Sequence, residues 1–195
     1  MGSGMTDDTA AAADADVLAG FESAAAAVFA VLAECWRRPT DSLVTAINEH
    51  ELEGILPGAD EVSLDELRAE YTRLLLGPDP EQIPPYENVF RNRDEDGEYG
   101  SVNGPATEAV IKWYQSHGIA PAADEPELPD HIATELEFAA YLADNGELEA
   151  CEQFLEEHPK QWFDEFLSEV RERTQSPFYE SLTLATDKAI DINLN

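Results

Sequence analysis

The sequence predicts an all-α protein built as a single domain, and three observations support this. Apolar residues recur about every 3.6 positions, the spacing that buries one face of a helix. Residues that start or stop helices separate these periodic segments. No stretch alternates between apolar and polar residues for long enough to form a strand. A chain of 195 residues can bury about 70% of its unfolded surface in one domain.

The N-terminal residues 1–15 are predicted to be a disordered segment, which leaves residues 16–195 as the helical domain. Residues 1–4 resemble the remnant of a cloning tag, and residues 6–15 are small and acidic. No basic n-region with an apolar h-region is present, so no signal peptide is expected. No apolar run approaches the roughly 20 residues needed to span a bilayer. The protein is therefore expected to remain in the cytoplasm.

Three helices are predicted in the first part of the domain. The first covers residues 16–37, where the helical period is clear. Thr40 or Asp41 is expected to cap a shorter second helix. Ser63 and Glu66 have the spacing of a capping box, which predicts the start of the third helix. Each helix thus has a local starting signal or a clear period.

The connection over residues 78–104, called the strap below, is predicted to be long and irregular. It follows Gly77, where the third helix is expected to stop, and it contains several prolines and an acidic patch. Connections of this length inside compact domains are usually functional or disordered. Apolar and aromatic residues favour an ordered, packed strap over a mobile insertion. These residues are Ile83, Tyr86, Val89 and Phe90.

Five helices are predicted after the strap. They cover residues 105–117, a segment that opens at Asp130-His131, and residues 147–157, 161–174 and 177–190. The first of them is expected to bury Trp113 and to end at Gly118. Ser176 is expected to cap the last helix, with Pro177 at its first position. The strap would then divide an N-terminal helical group from a C-terminal one.

The charge of the chain is strongly unbalanced, with 42 acidic and 11 basic side chains and a formal net charge of −31. The acids are spread over nearly every predicted helix, which indicates a charged surface. Self-repulsion of this size destabilises a compact state in dilute buffer, whereas molar salt shortens the screening length to about 3 Å. The composition therefore favours a halophilic source. It argues against binding to nucleic acids or anionic membranes, which require basic surfaces.

Sequence patterns give no support for catalysis. The chain has no Gly-x-Ser-x-Gly, no phosphate-binding glycine loop, no His-Glu-x-x-His and no pair of Glu-x-x-His motifs. Its four histidines stand alone in the sequence. Cys35 and Cys151 lie far apart without metal-ligand spacing and are expected to be buried thiols in a reducing compartment. We therefore expect no catalytic residue, no metal and no cofactor.

Two segments place rigid, aromatic and ionisable residues together. In the strap, the consecutive prolines before Tyr86 fix the backbone and present its ring from a stiff segment. At Pro129-Asp130-His131, a proline and an acid stand where a helix begins. Helix capping alone would explain the second segment, with Asp130 accepting backbone N–H groups and His131 packed beside it. The alternative is a binding site at the mouth of this helix.

An ordered set of segments resembles the TorD/DmsD family of redox-enzyme maturation chaperones, within the NarJ-like superfamily. The resemblance covers about residues 16 to 190. The matching segments are Tyr71–Leu75 with Gly77-Pro78, Pro84–Phe90, Pro129–His131, Glu135–Phe138 with Leu142-Ala143, Cys151–His158 with Trp162 and Phe166, and Ser176–Tyr179 with Leu182.

The resemblance implies a cytoplasmic chaperone, not an enzyme. Its partners would be the twin-arginine leader and the apoprotein of a molybdenum-containing reductase of the dimethyl sulfoxide, trimethylamine N-oxide or nitrate type. A helper of nitrate reductase assembly without an export role is the first alternative, and an enzyme acting on a small ligand or nucleotide is the second. The protein is expected to be a monomer or dimer without stable membrane insertion.

The resemblance also implies a peptide groove. Asp130 and His131 would contact the leader, with Pro129 and the more weakly indicated Glu127 beside them. The groove would have apolar and aromatic walls, and its carboxylates at the rim would face the leader arginines. The residues implied for the walls are Tyr71, Leu74, Leu75, Pro85 and Tyr86.

Overall fold

The fold is all-α, as predicted. A computed structural model describes residues 21, 23–59, 61–76, 82–119, 127–192 and 194. Within those ranges there are nine α-helices and no β-strand. The helices are α1 (Ala24–Cys35), α2 (Asp41–Asn48), α3 (Leu64–Tyr71), α4 (Glu87–Arg91), α5 (Pro105–Ser116), α6 (Ile132–Asp144), α7 (Leu148–Glu157), α8 (Phe163–Arg173) and α9 (Pro177–Ile190). A π-helical turn, Thr72–Leu76, continues α3, and a 3-10 turn, Pro159–Gln161, precedes α8.

The predicted starts of α2 and α3 are confirmed in atomic detail. Thr40 Oγ1 accepts the backbone N–H of Leu43 at 3.3 Å. Ser63 Oγ accepts the N–H of Glu66 at 3.3 Å, and the Glu66 carboxylate accepts the N–H of Ser63 at 3.2 Å. Such reciprocal bonds satisfy amide groups that have no partner inside the helix. Gly77, the predicted stop of α3, lies outside the described residues.

The first helix was predicted to begin at residue 16, and this is wrong for the described residues before Ala24. Ser23 caps α1 through a 3.4 Å bond from the Ala26 N–H, so the helix begins at Ala24. Phe21 precedes this cap and is exposed, although the helical period placed it on the buried face. A serine hydroxyl can bond to nearby backbone groups and so favours the start of a helix over its interior. The spacing of apolar residues does not contain this information. Residues 16–20 lie outside the described residues.

The core is centred on the packing of α1 against α6. Both helices bury alanines at their contact, and small side chains let helix axes approach closely. The buried alanines are Ala26, Ala27 and Ala33 in α1, and Ala133, Ala139, Ala140 and Ala143 in α6. Helix α9 packs on α8 and α1, where the Trp36 indole N–H donates to Thr186 Oγ1 at 2.9 Å. The result is one continuous core.

The described part of the strap is ordered and packed, as predicted. Ile83, Val89 and Phe90 are buried. The strap is less irregular than predicted, because it contains α4, a short helix from Glu87 to Arg91. At five residues this helix is too short for a hydrophobic period to predict it.

Two details of the later helices correct the sequence predictions. Tyr114 is buried in α5, whereas Trp113 is only partly buried and its indole donates to Glu157 Oε2 at 3.2 Å. Ser176 stands at the N-cap position of α9, but its side chain makes no capping bond. Gly118 ends α5 with a φ of +74°, a conformation that glycine adopts without steric cost.

Two further predictions concern the cysteines and membrane insertion. Cys35 and Cys151 are free, buried thiols, as predicted. Burial raises the pKa of both, that of Cys151 to about 12. Among the described residues, no helix has both the length and the apolar character needed to cross a membrane. The N-terminal segment, residues 1–15, lies outside the described residues.

Candidate functional site

The two segments singled out in the sequence meet in the structure. Tyr86 and His131 form an isolated antiparallel β-bridge. The Glu87 N–H donates to the Asp130 carbonyl at 2.9 Å, and the Ile132 N–H donates to the Pro85 carbonyl at 3.0 Å. The rings of Tyr86 and His131 meet edge to face, with centroids 5.3 Å apart. The strap is therefore joined to the start of α6 by both backbone and side chains.

Asp130 is fully buried, so the prediction that its carboxylate lies at a groove rim is wrong for this conformation. Its Oδ2 accepts the Asn88 N–H at 3.0 Å and the Thr107 hydroxyl at 3.1 Å. Burial raises the pKa of Asp130, and the bonds from Asn88 and Thr107 oppose that shift. Asp130 thus caps α4 across the strap and does not cap its own helix.

His131 takes the capping role that was assigned to Asp130. Its Nδ1 accepts the Ala133 N–H at 3.1 Å and so caps α6. Burial, with a smaller contribution from Arg37, lowers the pKa of His131 to about 3. The ring is therefore neutral near neutral pH, which agrees with Nδ1 acting as an acceptor.

Asn88 extends this junction to α5. Its Oδ1 accepts the Ala106 N–H at 3.1 Å, and its amide donates to the Ser101 carbonyl at 2.8 Å. A Cβ added at Gly104 would lie 2.6 Å from Asn88 Nδ2, so only glycine fits beside this amide. The close contact fixes the end of the strap against the start of α5.

A second set of polar groups lies behind Asp130, and the sequence analysis missed it. Glu87 is fully buried, and its two carboxylate oxygens accept from Arg91 Nη1 at 2.5 Å and His158 Nδ1 at 2.9 Å. Glu135 is also fully buried and accepts from the Trp162 indole at 3.1 Å. Burial and the neighbouring Glu87 raise the pKa of Glu135 well above its usual range.

These buried polar residues form one unit, called the buried clip below. It consists of Glu87, Asn88, Thr107, Asp130, His131, Glu135 and His158. One sequence signal could have revealed part of it: Glu135 lies on the apolar stripe of its helix, between Ile132 and Leu136. An acid at such a position is expected to have a buried polar partner.

The predicted apolar walls are core residues in this conformation. Tyr71, Leu74 and Leu75 are each at most 4% exposed, and Pro85 is buried. The π-helical turn anchors the start of the strap, because the Ile83 N–H donates to the Leu74 carbonyl at 2.8 Å. The prediction of an open groove lined by these residues is therefore wrong for this conformation.

Three of the predicted contact residues remain accessible. Tyr86, Pro129 and Glu127 are partly exposed. Burial and then the Glu127 carboxylate raise the pKa of Tyr86, and the same two causes raise the pKa of Tyr71 to about 12. The charge of Glu127 therefore acts on both phenols. Leu76, which the sequence analysis did not single out, is 55% exposed directly after the buried pair of leucines.

A group of charged residues, called the charged rim below, is centred on Arg37. It consists of Arg37, two positions after the end of α1, and the three carboxylates around it: Glu34 in α1, Glu127 before α6 and Glu137 on the outer face of α6. Arg37 Nη2 donates to Glu137 Oε2 at 2.6 Å. Its Nε lies 3.9 Å from Glu127 Oε2, and its Nη1 lies 4.0 Å from Glu34 Oε2. Arg37 was not among the predicted site residues, because about 90 positions separate it from Glu127.

The described residues offer little support for metal chemistry. No group of three or more His, Cys, Asp or Glu side chains within the described ranges could hold a metal ion. The buried clip instead consists of hydrogen-bonded groups from the strap, α5, α6 and the turn after α7. This arrangement is suited to holding segments together.

A helical fold with this joined strap defines a known class of protein. The family model described as nitrate reductase delta subunit matches residues 31–168, which include the strap and the buried clip. The chain belongs to this family. The TorD/DmsD-type assignment made from the sequence is supported by the relatives that follow.

The curated relatives are named as chaperones. The Tat proofreading chaperone DmsD of Salmonella paratyphi A is 32% identical over 120 residues, covering 62% of this chain and 56% of the relative. The chaperone protein TorD of Shewanella loihica is 28% identical over 127 residues, covering 65% of this chain and 60% of the relative. The matches thus span less than two thirds of either relative.

A solved structure supports the fold and the class. The crystal structure of a putative redox enzyme maturation protein from Archaeoglobus fulgidus is 27% identical, with a TM-score of 0.59. The similarity covers 82% of this chain and 90% of that one. These relatives are named as chaperones or as a maturation protein, which fits the prediction of a protein that is not an enzyme.

Proposed function

We propose that this chain is a cytoplasmic chaperone for a molybdenum-containing reductase. It binds the twin-arginine leader of the precursor, its apoprotein, or both, and assists maturation before export. The observation that carries this proposal is the junction of the strap with the start of α6, which brings Tyr86, Pro129 and Glu127 together. The family match and the names of the relatives support it.

The accessible surface at this junction has the chemistry that a leader requires. A twin-arginine leader has a basic n-region followed by an apolar h-region. The Tyr86 ring offers apolar area for the h-region, and the Glu127 carboxylate offers an acceptor for a guanidinium group. Asp130 acts from beneath, because its bond from the Asn88 N–H fixes the strap that carries Tyr86, and His131 caps the helix to which the strap is joined.

The buried leucines suggest a second stage of binding. Leu74 and Leu75 reach a ligand only if the strap moves away from the π-helical turn that anchors it. The exposed Leu76 already extends the apolar surface of this turn. We therefore assign first contact to the accessible residues and deeper apolar contact to a conformation with the strap displaced.

Calorimetric titration with synthetic leaders tests the proposal. The probes are leaders of the dimethyl sulfoxide, trimethylamine N-oxide and nitrate reductase types. At least one should bind, and Tyr86→Ala should weaken its binding about tenfold, as expected for losing a partly buried ring. Tyr141→Ala is the matched control, because Tyr141 is an exposed tyrosine near the other end of α6. The proposal of leader binding fails if no leader binds or if both variants weaken binding equally.

The family description favours one alternative, a helper of nitrate reductase assembly without an export role. Such a protein would bind the reductase through its folded or folding domains. Pull-down with nitrate reductase apoprotein that lacks any leader distinguishes the two functions. Equal capture with and without a leader would support the alternative, whereas capture that requires the leader supports the export-linked function.

A further inference from the structure

The guanidinium group of Arg37 lies beside Glu127, one of the proposed leader contacts. It lies two positions after the last residue of α1, and its side chain is 22% exposed. The Arg37 Nε atom is 3.9 Å from Glu127 Oε2. At that distance the two groups attract each other by charge without forming a hydrogen bond. Glu127 therefore keeps acceptor positions that no other described residue occupies, while part of its charge is neutralised.

The stronger partner of Arg37 lies elsewhere in the charged rim. The 2.6 Å bond to Glu137 holds the guanidinium, and Glu34 lies within 4.0 Å of it. Glu127 is the least exposed of the three carboxylates, at 17% against 52% for Glu34 and 57% for Glu137. Arg37 can thus keep a partner when a second guanidinium approaches Glu127.

Glu127 connects this charge group to the accessible surface of the junction. Glu127 lies four residues before His131, which forms the backbone bridge to Tyr86, and its charge raises the pKa of Tyr86 and Tyr71 after the larger effect of burial. A leader that covers Tyr86 would therefore bring its arginines within reach of Glu127. It would also bring them towards Arg37, which carries the same charge.

We propose that Arg37 is a specificity-determining residue of the leader site, which competes with the leader arginines for Glu127. This inference rests on the proposed function. Arg37 lowers the contribution of the arginine pair to binding and leaves the contribution of the h-region unchanged. Discrimination among leaders then depends mainly on their apolar segments.

Titrating wild type and variants with two peptides tests this role. The first peptide is the reductase leader that binds wild type most tightly, and the second is the same leader with both arginines replaced by glutamine. Arg37→Gln should tighten binding of the first about threefold to fivefold, as expected for a partly exposed charge pair. It should leave binding of the second unchanged. Measurements are made at the lowest salt concentration at which circular dichroism shows the native fold.

Three variants control for other causes. Lys188→Gln removes the same charge from an exposed position of α9, so it reports the general effect of a more acidic protein. Arg37→Lys retains the charge and should give little gain. Adding Glu127→Gln to Arg37→Gln should abolish the gain, because the leader arginine then lacks the negative charge with which it pairs.

The outcomes distinguish the role of Arg37 from the proposed leader binding on which it rests. If a leader binds but Arg37→Gln and Lys188→Gln change its affinity equally, the role of Arg37 is overturned and leader binding stands. Weaker binding by Arg37→Gln would also overturn it. If no leader binds wild type, the proposed leader binding and the role of Arg37 both fail.

Discussion

The buried clip and the charged rim are adjacent, yet their polar groups are held in different ways. In the clip, Asp130, Glu87 and Glu135 have no solvent exposure. In the rim, the Glu34 and Glu137 side chains are more than half exposed. Breaking a buried polar pair leaves a desolvated group without a partner, whereas water replaces a lost partner at the surface. The clip is therefore suited to fixing structure, and the rim to exchanging partners.

This difference reassigns the roles within Pro129-Asp130-His131. Asp130 and His131 hold the strap and start α6, so replacing them affects folding before it affects recognition. The proposed leader contact is therefore assigned to Tyr86, Pro129 and Glu127, which retain accessible surface. A binding defect in an Asp130 variant is evidence for contact only if the strap keeps its position.

The largest effect is expected from Asp130→Ala. This change leaves the Asn88 N–H and the Thr107 hydroxyl without an acceptor inside the protein. The free energy of unfolding should fall by about 2 to 4 kcal/mol, measured by urea denaturation. Asp187→Ala, at an exposed position of α9, should change it by less than about 0.5 kcal/mol. Equal losses from the two variants would contradict the structural role of the clip.

A loss of stability at acidic pH is expected from His131. Its folded pKa of about 3 lies below the value of about 6.5 in an unfolded chain. As pH falls below 6.5, the unfolded chain gains a proton that the folded chain does not, so stability is lost from pH 6.5 towards pH 3. The loss should be about 1 kcal/mol per pH unit within that window.

The variant His131→Asn isolates this contribution, because asparagine also caps helices but does not titrate. The stability difference between wild type and His131→Asn should shift against wild type as pH falls from 6.5. Urea denaturation at a series of pH values measures it. The other titrating groups, Glu135 and Asp130 among them, are shared by both proteins and largely cancel. The exposed His50→Asn serves as the control, and an equal slope for both variants would contradict the burial of His131.

The smallest effect on stability is expected at two serines, both of which the sequence predicts to be helix caps. Ser63 caps α3 through its hydroxyl, whereas Ser176 makes no side-chain capping bond at α9. Ser63→Ala should lower the free energy of unfolding by about 1 kcal/mol. Ser176→Ala should lower it by a few tenths at most. Thermal unfolding of both variants checks this, and equal shifts in the midpoint would show that the capping box contributes little.

Local signals explain why most of the fold could be predicted. The capping box of Ser63 and Glu66 lies within four residues, and Pro177 fixes the first turn of α9 by its own ring. Such signals depend on neighbours in the sequence. Local signals fail where two candidate core residues are adjacent. Trp113 and Tyr114 are both aromatic, and the helical period does not determine which of them is buried.

The site depends on contacts that no local signal contains. The bridge between Tyr86 and His131 joins residues 45 positions apart, and it determines that Asp130 caps α4. The residues that matched the family were informative about location, since Tyr86, Glu127 and Pro129 all lie at this junction. Their burial could not be predicted, because it depends on how the strap packs against α6.

The central claim is that the accessible apolar surface at the junction carries recognition, while the clip beneath it carries structure. In molar salt, exposed charges attract only at contact, whereas burial of apolar surface is strengthened by excluded salts. Calorimetric titration in molar potassium chloride should compare a leader with a shortened h-region against one with both arginines replaced by glutamine. We predict the larger loss of affinity for the shortened h-region. A larger loss for the arginine replacement would contradict the claim and place recognition in the charged rim.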